Sequence, residues 1–420
     1  MNNIKKLLEG VEVEWKTLGE ITNILRGKRL TRNLLSANDK YPVFHGGLDP
    51  LGYYYNANRP ADTVMIINVG ASAGTVGYSS VDFWSSDGTY CIEQMAKLNN
   101  KFLYYFLLGE QYYLKSRVRV AGIPTLDAFV IEKLQIPIPY PNNLKKSLEI
   151  QQEIVRILDS FSMLTAELQA ELQARKSQYE YYRNQLLAYP MEESDQSSLR
   201  SNRSATSIQN SDNSIQPLST LNPPTGNSVL QPRGKVEWKV LEEVVEIKRG
   251  KRLIKNQLEK TGKYAVYQNC MIPLGYYHKN NVIADTTFII SAGSAGEIGY
   301  SDVDFWAADD VYYFVTKNDL KSRFLYHFLI TQQQKIYSQV RRSSVPRLSK
   351  TAFEKLLIPI PSLEEQEHIV SILDKFDALT TSLTEGLPKE IELRQKQYEY
   401  YRNMLLSFPK NNIKLVWDKH

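Results

Sequence analysis

Gln178-Tyr179-Glu180-Tyr181-Tyr182-Arg183-Asn184 returns unchanged as Gln397-Tyr398-Glu399-Tyr400-Tyr401-Arg402-Asn403. Outward from this heptapeptide, further pairs recur in the same order. Val13-Glu14-Trp15-Lys16 matches Val236-Glu237-Trp238-Lys239, and Arg26-Gly27-Lys28-Arg29-Leu30 matches Arg249-Gly250-Lys251-Arg252-Leu253. Leu51-Gly52-Tyr53-Tyr54 matches Leu274-Gly275-Tyr276-Tyr277, Val81-Asp82-Phe83-Trp84 matches Val303-Asp304-Phe305-Trp306, and Ile136-Pro137-Ile138-Pro139 matches Ile358-Pro359-Ile360-Pro361. Chance does not give so many ordered matches. The spacing far exceeds the roughly 20–50 residues of a solenoid unit, so the chain is a tandem duplication of a domain-sized module.

Each copy changes texture once. Residues 13–139 and 236–361 carry Gly, Tyr, Phe and short β-type runs such as Thr63–Ile67 and Thr287–Ile290. They predict a mixed domain with much sheet, with helices over Phe102–Lys115 and Arg323–Tyr337. The Ile-Pro-Ile-Pro segments are expected to stop regular structure, because proline lacks an N–H and restricts the residue before it. Beyond them Ile150, Ile154, Ile157, Phe161, Leu164, Leu168 and Leu172 fall three or four residues apart, as do Ile369, Ile372, Phe376, Leu379, Leu383 and Leu387. Such a stripe predicts a helix packed along one side, and about 40 residues of it would reach roughly 60 Å. Gly386-Leu387-Pro388 predicts a kink or break in the second helix.

The expected organisation is a globular domain over 1–147, a helix over 148–190, a linker over 191–234, a second domain over 235–362, a second helix over 363–408 and a tail over 409–420. The linker is rich in Ser, Asn, Gln, Thr and Pro. It reads as a flexible tether spanning roughly 35–40 Å as a random coil.

With 420 residues, 42% hydrophobic and 23% charged, the composition is that of a soluble globular protein. A net charge of +5 permits a polyanionic partner. Cys91 and Cys270 are too few for a disulfide framework and do not match between copies, which indicates a reduced compartment. With no signal-like N-terminus and no apolar stretch of spanning length, the expected location is the cytoplasm, with no membrane partner.

Enzymatic chemistry is missing from the pattern. There is no GxxxxGK[ST], HExxH or paired CxxC, so no catalytic, cofactor-binding or metal-binding residue is expected. Gly70-Ala71-Ser72-Ala73-Gly74 lacks GxGxxG spacing and reads as a tight turn between strands. Asn222-Pro223-Pro224-Thr225 resembles an adenine-methyltransferase motif, but has Thr225 where an aromatic would stack on the base. Asp309-Asp310 faces Asp87-Gly88 in the other copy, so the copies share no acid pair.

Basic clusters recur instead. Arg26, Lys28 and Arg29 match Arg249, Lys251 and Arg252. Lys115, Arg117 and Arg119 have Arg341, Arg342 and Arg347 as counterparts before the last strand. Such density suits phosphate contact, and Arg also reads guanine edges. One cluster alone is as well explained by a solvated surface, but recurrence of both favours nucleic acid. Between the matched segments the copies differ: His45-Gly46 is replaced by Gln268-Asn269, side chains able to bond adenine edges. Loops that vary on a constant frame are natural readers of ligand identity.

Taken together, the chain resembles the specificity subunit of a type I restriction-modification system over almost its whole length. The resemblance rests on Val-Glu-Trp-Lys, the Ile-Pro-Ile-Pro exit, Ile154–Phe161 and Ile369–Phe376 with their shared Ile-Val-x-Ile-Leu-Asp-x-Phe, the acid-Gln helix start Glu364-Glu365-Gln366, and the Gln-Tyr-Glu-Tyr-Tyr-Arg-Asn ends. The first copy departs by an insertion over Tyr140–Ser147. The resemblance implies an α+β fold, with two mixed target-recognition domains separated by two long helices that pair as an antiparallel coiled coil about a pseudo-twofold axis. It implies double-stranded DNA as ligand, each domain reading half of a bipartite site. It further implies two adenine methyltransferase subunits and motor-nuclease restriction subunits as partners, with S-adenosylmethionine, ATP and Mg belonging to those partners. His45, Gln268 and Asn269 join the basic residues as DNA-binding candidates. The helix aromatics Phe161, Tyr179, Tyr182, Phe376, Tyr398 and Tyr401 are the partner-binding candidates. A stand-alone DNA-binding regulator is the alternative, and a fused methylating enzyme is a weaker one.

Paired helices would act as a ruler between half-sites about one helical turn, near 34 Å, apart. Thr165–Leu172 is a near-repeat of a four-residue unit, and one unit adds about 6 Å of helix. Deleting Gln169–Leu172 is therefore expected to shorten the spacer and spare both half-sites. Mapping methylated adenines in DNA modified with the deletion variant checks this, and an unchanged spacer would contradict it.

Overall fold

The computed structural model describes residues 7–190, 236–382 and 385–408, and in it the Ile-Pro-Ile-Pro segments are strands rather than stops. Gln135–Pro139 pairs antiparallel with Val13–Thr17, and Leu357–Ile360 pairs with Glu237–Val240. The prolines fit because each pair is an isolated two-stranded ribbon with a free outer edge. Tyr140 N donates to Glu12 O and Leu134 O accepts from Leu18 N, so even-numbered residues face the partner strand. Pro137 and Pro139 turn their missing donors outward. The repeated Val-Glu-Trp-Lys is the strand that closes each domain against its own exit.

Strands are β1 (Val13–Thr17), β2 (Ile24–Arg26), β3 (Tyr41–Phe44), β4 (Gly52–Tyr54), β5 (Thr63–Ile67), β6 (Val76–Ser79), β7 (Trp84–Ser85), β8 (Thr89–Ile92) and β9 (Gln135–Pro139). The order β2-β8-β5-β6 makes an antiparallel sheet, and β4-β3-β7 makes a smaller one in which β3 and β7 run parallel. The second copy repeats all three sheets in the same order with β10 to β18, from Glu237–Val240 to Leu357–Ile360. Thr63–Ile67 is buried throughout, which explains its continuous apolar run.

The helices expected over 102–115 and 323–337 are each two helices. Helix α1 (Asn100–Gly109) breaks at Glu110 before α2 (Gln111–Ser116), and Ser322–Thr331 breaks at Gln332 before Gln333–Ser338. Both breaks have φ near −90° and ψ near 0°. After the break Leu114 and Ile336 are buried. No glycine or proline marks the position in the second copy, so packing sets the turn there. Helix α3 (Ala128–Glu132) precedes β9.

Helix α4 runs unbroken from Leu144 to Leu186, starting earlier than expected. Asn143 Oδ1 accepts from Lys146 N and opens the extra turn, so Ser147 lies inside the helix. In the second copy Ser362 is the N-cap, accepting from Glu365 N, for the helix Leu363–Thr381. That helix ends before Gly386–Leu406 begins, as the Gly-Leu-Pro sequence predicts. Gly386 has φ +73°, and a Cβ there would lie 2.7 Å from Ala378 O and Leu379 O. The expected linker, Asn222–Thr225 and the tail lie outside the described residues.

The chain divides into two units. One comprises residues up to Ala170 together with those from Lys389 onward, and the other comprises Glu171–Pro388. In the first unit Ile150, Ile154 and Leu158 share a core with α1 and with Leu405, Leu406 and Phe408. In the second, Leu186, Leu187 and Tyr189 share a core with Phe324, Phe328, Ile369 and Leu373. The helices there run antiparallel: Tyr179 and Tyr182 stack on Phe376, while Tyr189 Oη bonds Glu365 Oε1. Each unit thus combines one globular domain, the start of its own helix and the end of the other copy's helix.

A fully buried glutamine clamps helix to domain in each unit. Gln151 Oε1 accepts from Asn99 N at 2.8 Å, and Gln366 Oε1 accepts from Lys321 N at 2.8 Å. Asn99 and Lys321 are the N-caps of the equivalent domain helices. Gln366 Nε2 also donates to Asp319 O and Pro361 O.

Two turns later lies a polar node. Asp159 accepts from Lys101 Nζ and the Tyr105 hydroxyl, with Tyr105 beside Tyr398. In the second unit Asp374 accepts from Arg323 Nε and His327 Nε2, Arg323 also binds Asp377, and the buried His327 reaches Tyr179 Oη at 3.3 Å. Burial holds the His327 pKa below the ordinary 6.5, outweighing the Asp374 bond that raises it.

Replacing Gln366 by Leu should cost about 2–4 kcal/mol, because three backbone groups lose their partner. Urea unfolding checks this, and a wild-type midpoint would count against the clamp. His327 also gives the second unit a pH dependence. Its folded pKa is depressed, so the unfolded chain binds more protons below pH 6.5, and stability falls as pH drops from 6.5 toward the folded value. His327→Gln should flatten Tm against pH over that window. An unchanged slope would show that the acid sensitivity lies elsewhere.

Candidate nucleic-acid interface

Gly27 explains why a glycine sits inside each basic cluster. A Cβ at Gly27 would lie 2.1 Å from Ser86 O, and one at Gly250 would lie 2.0 Å from Ala308 O. The glycine lets β2's exit cross the β7–β8 turn in contact with it. Gly27 N donates to Thr89 O, Lys28 N donates to Ser85 O, and Trp84 Nε1 donates to Lys28 O. Trp306 does the same for Lys251 O. The crossing fixes the backbone of both clusters while Arg26, Lys28, Arg29, Arg249, Lys251 and Arg252 stay exposed.

The first arginine of each cluster is aimed identically. Arg26 Nε donates to Asp87 O at 3.4 Å, and Arg249 Nε donates to Asp309 O at 2.7 Å. Arg249 also lies over the Tyr312 ring. Tying Nε to a carbonyl leaves the Nη1–Nη2 end of the guanidinium facing outward, a fork suited to paired acceptors.

The same β7–β8 turn gathers the variable loop. His45 Nδ1 accepts from Gly88 N at 3.2 Å and lies 3.4 Å from Asp87 Oδ1. In the second copy Asn269 O accepts from Ser294 N of the glycine turn. Gln268 is half-buried and Asn269 exposed.

The glycine turn joins the second cluster. Asn68, buried at the end of β5, donates to Asp87 O, and its own carbonyl accepts from Leu126 N. Val69 pairs with Thr125, and Thr125 pairs with Arg119. Ala292, Arg347 and Arg341 repeat that bridge. Gly74 has φ +84°, and a Cβ there would press on the Lys115 backbone at 2.9 Å. Gly296 is held likewise against Tyr337. Gly70–Gly74 is thus the tight turn the sequence indicates, and its role is to support the loop that carries Lys115, Arg117 and Arg119.

In each copy, therefore, two basic clusters remote in sequence meet through the β5–β6 and β7–β8 turns. All fifteen DNA-binding candidates belong to these two surfaces, and all are exposed except the half-buried Gln268. Tyr55, Tyr112 and Phe129, which no sequence pattern marks as surface residues, are 69%, 87% and 52% exposed. Among the described residues no group of three or more His, Cys, Asp or Glu could hold a metal ion. No helix there is long and apolar enough to cross a membrane.

The helix aromatics need correction. Phe161 stacks on Tyr401 at 5.0 Å, Tyr179 and Tyr182 stack on Phe376, and Tyr398 packs on Tyr105. They lie on the apolar stripe and pack within each unit, Tyr398 against the domain helix α1 and the others against the opposite long helix, with Tyr179 buried and the other five half-buried. Among the described residues, Leu144, Met163, Tyr181, Leu363, Leu393 and Tyr400 are the exposed large apolar residues of the long helices, at 47%, 63%, 46%, 43%, 53% and 58%.

The architecture defines a class: paired mixed domains, each with a cationic face and tied to a long helix. Residues 10–175 and 234–393 both match the type I restriction modification DNA specificity domain. The chain is 32% identical to the type I restriction enzyme EcoR124I/EcoR124II specificity subunit of Escherichia coli, covering 98% of each, and 26% identical to the EcoprrI specificity subunit of the same organism, covering 92% of each. The crystal structure of a type-I restriction-modification S subunit from M. genitalium shares the fold with a TM-score of 0.62 at 20% identity, covering 96% of this chain and 97% of that one. The chain belongs to the type I restriction-modification DNA specificity family. It is a non-catalytic specificity subunit, and the stand-alone regulator is not supported.

Proposed function

We propose that each cationic face reads one half of a bipartite double-stranded DNA site. The carrying observation is that Arg26 and Arg249 are aimed by the same backbone carbonyl in both copies, at the centre of both faces. Their free forks suit the O6 and N7 acceptors of guanine. Lys28, Arg29, Lys251, Arg252, Lys115, Arg117, Arg342 and Arg347 suit phosphates and set position. His45 in one copy and Gln268 with Asn269 in the other differentiate the halves. Because the frame is shared, the half-sites are related and form an imperfect inverted repeat.

The domain boundaries we propose are those expected from the sequence, with the start of the first helix moved to Leu144. Two adenine methyltransferase subunits and motor-nuclease subunits assemble on this chain in the cytoplasm, and they carry S-adenosylmethionine, ATP and Mg. Exposed Tyr181 and Tyr400, equivalent residues of the repeated heptapeptide, are the anchors that fit equivalent partners.

Arg26→Ala and Arg249→Ala should each weaken binding to the target duplex by about 1–3 kcal/mol and relax one base in one half-site. Titrations of the full chain with its co-purified subunits at several salt concentrations, alongside methylation mapping, check this. Unchanged affinity, salt slope and motif in both variants would defeat the reading.

A further inference from the structure

Between the Arg117–Thr125 loop and α3 the first copy has a cleft lined by Tyr113, Arg117, Arg119, Asp127, Phe129 and Lys133. The second copy keeps Arg341 and Lys355 at the positions of Arg119 and Lys133. It has Lys335, Gln339, Ser349 and Thr351 where the first has Tyr113, Arg117, Asp127 and Phe129. The cleft's chemistry is therefore particular to one half of the protein.

Its centre is an ion pair with an unusual division of labour. Asp127 occupies the N-cap of α3 but makes no capping bond. Aspartate at that position ordinarily accepts from the helix's first free N–H groups. Here Oδ1 accepts instead from Arg119 Nη2 at 2.9 Å. The Arg119 backbone is fixed by two bonds to Thr125, at 2.9 and 3.0 Å, and Thr125 is paired to Val69. The Arg119 side chain is 67% exposed, and its Nε and Nη1 make no hydrogen bond among the described residues. One Nη2 proton and both Nη1 protons are thus left without a protein acceptor among the described residues.

A phosphate contact gains nothing from this arrangement, since a carboxylate beside it repels the phosphate. A G·C pair gains from both partners. In the major groove guanine offers O6 and N7 to an arginine fork, and the neighbouring cytosine N4 amino group donates to a carboxylate. Among the described residues the other cations of the cleft pair with no carboxylate: Arg117 lies over Tyr113 at 5.0 Å, and Lys133 lies over Phe129 at 5.5 Å. Those suit the flanking phosphates.

We propose that Arg119, oriented by Asp127, is a specificity-determining residue that reads a G·C pair in the half-site of the first copy only. The second copy, with Ser349 in place of Asp127, does not select that pair through Arg341. This rests on the DNA-reading function above. It is tested by mapping methylated adenines in cells carrying the full chain as Arg119→Ala, Arg119→Lys or Asp127→Asn, with competition binding to duplexes substituted at each motif position. Arg119→Ala should lower the preference for one G·C pair by about 10- to 100-fold. Arg119→Lys should not restore it, Asp127→Asn should relax the same position less, and the other half-site should stay unchanged.

The affected half-site should be the one altered by His45→Ala and not by Gln268→Ala. An unchanged motif in Arg119→Ala overturns the proposal. So does rescue by Arg119→Lys with a salt slope reduced by about one in the alanine variant, the mark of a phosphate contact. If Arg119→Ala abolishes methylation altogether, Asp127→Asn decides, by relaxing that one position or leaving the motif intact. Either failure leaves the DNA-reading function standing, because that depends on Arg26 and Arg249.

Discussion

Everything this protein offers to a ligand depends on a buried amide. Gln151 and Gln366 each sit at the first turns of a long helix and accept from the N-cap N–H of a domain helix. A buried backbone donor is expensive to leave unpaired, so the amide fixes the angle at which domain meets helix. The carboxylates Asp159 and Asp374, two turns further on, hold the same pair of elements from charged side chains. A recognition surface on a domain that pivoted on its helix could not define a distance. With the joint made of satisfied polar groups inside an apolar core, the helix can serve as a ruler.

The joint also explains the repeated heptapeptide. Tyr179 lies against His327 in the unit of the second domain, and Tyr398 against Tyr105 in the unit of the first. The most faithfully repeated stretch is the end of each helix where it serves the other copy's domain. Aromatic stacking on Phe376 and Phe161 then couples the two helices within each unit. The aromatics that look adhesive in sequence are therefore already occupied, while their neighbours Tyr181 and Tyr400 remain outside.

The recognition faces show a division between backbone and side chain. Glycines at 27 and 250, and the turns at Gly70–Gly74 and Gly293–Gly296, keep equivalent backbones in equivalent places by tolerating close contacts that a Cβ would forbid. On that constant frame Arg26 and Arg249 are aimed alike, whereas Gln268 replaces His45 and Ser349 replaces Asp127 at equivalent positions. A duplication built this way can change what one half reads without disturbing how it is held.

Sequence alone was enough for the duplication, the mixed domain, the helical stripes, the break at Gly386 and the recurring basic clusters. These are local or periodic properties, and all but the break at Gly386 recur in the other copy. It misjudged Ile136–Pro139 as a stop, because which edge a proline turns outward depends on a strand more than a hundred residues away. It also ran together helices that packing breaks at Glu110 and Gln332. Only the tertiary structure could decide that Arg26 and Arg119 share a face, since Asp87, Asn68, Val69 and Thr125 connect them through contacts between distant turns. Only it could show Phe161 and Tyr179 turned inward, because a helical stripe records that one side is covered and carries no record of what covers it.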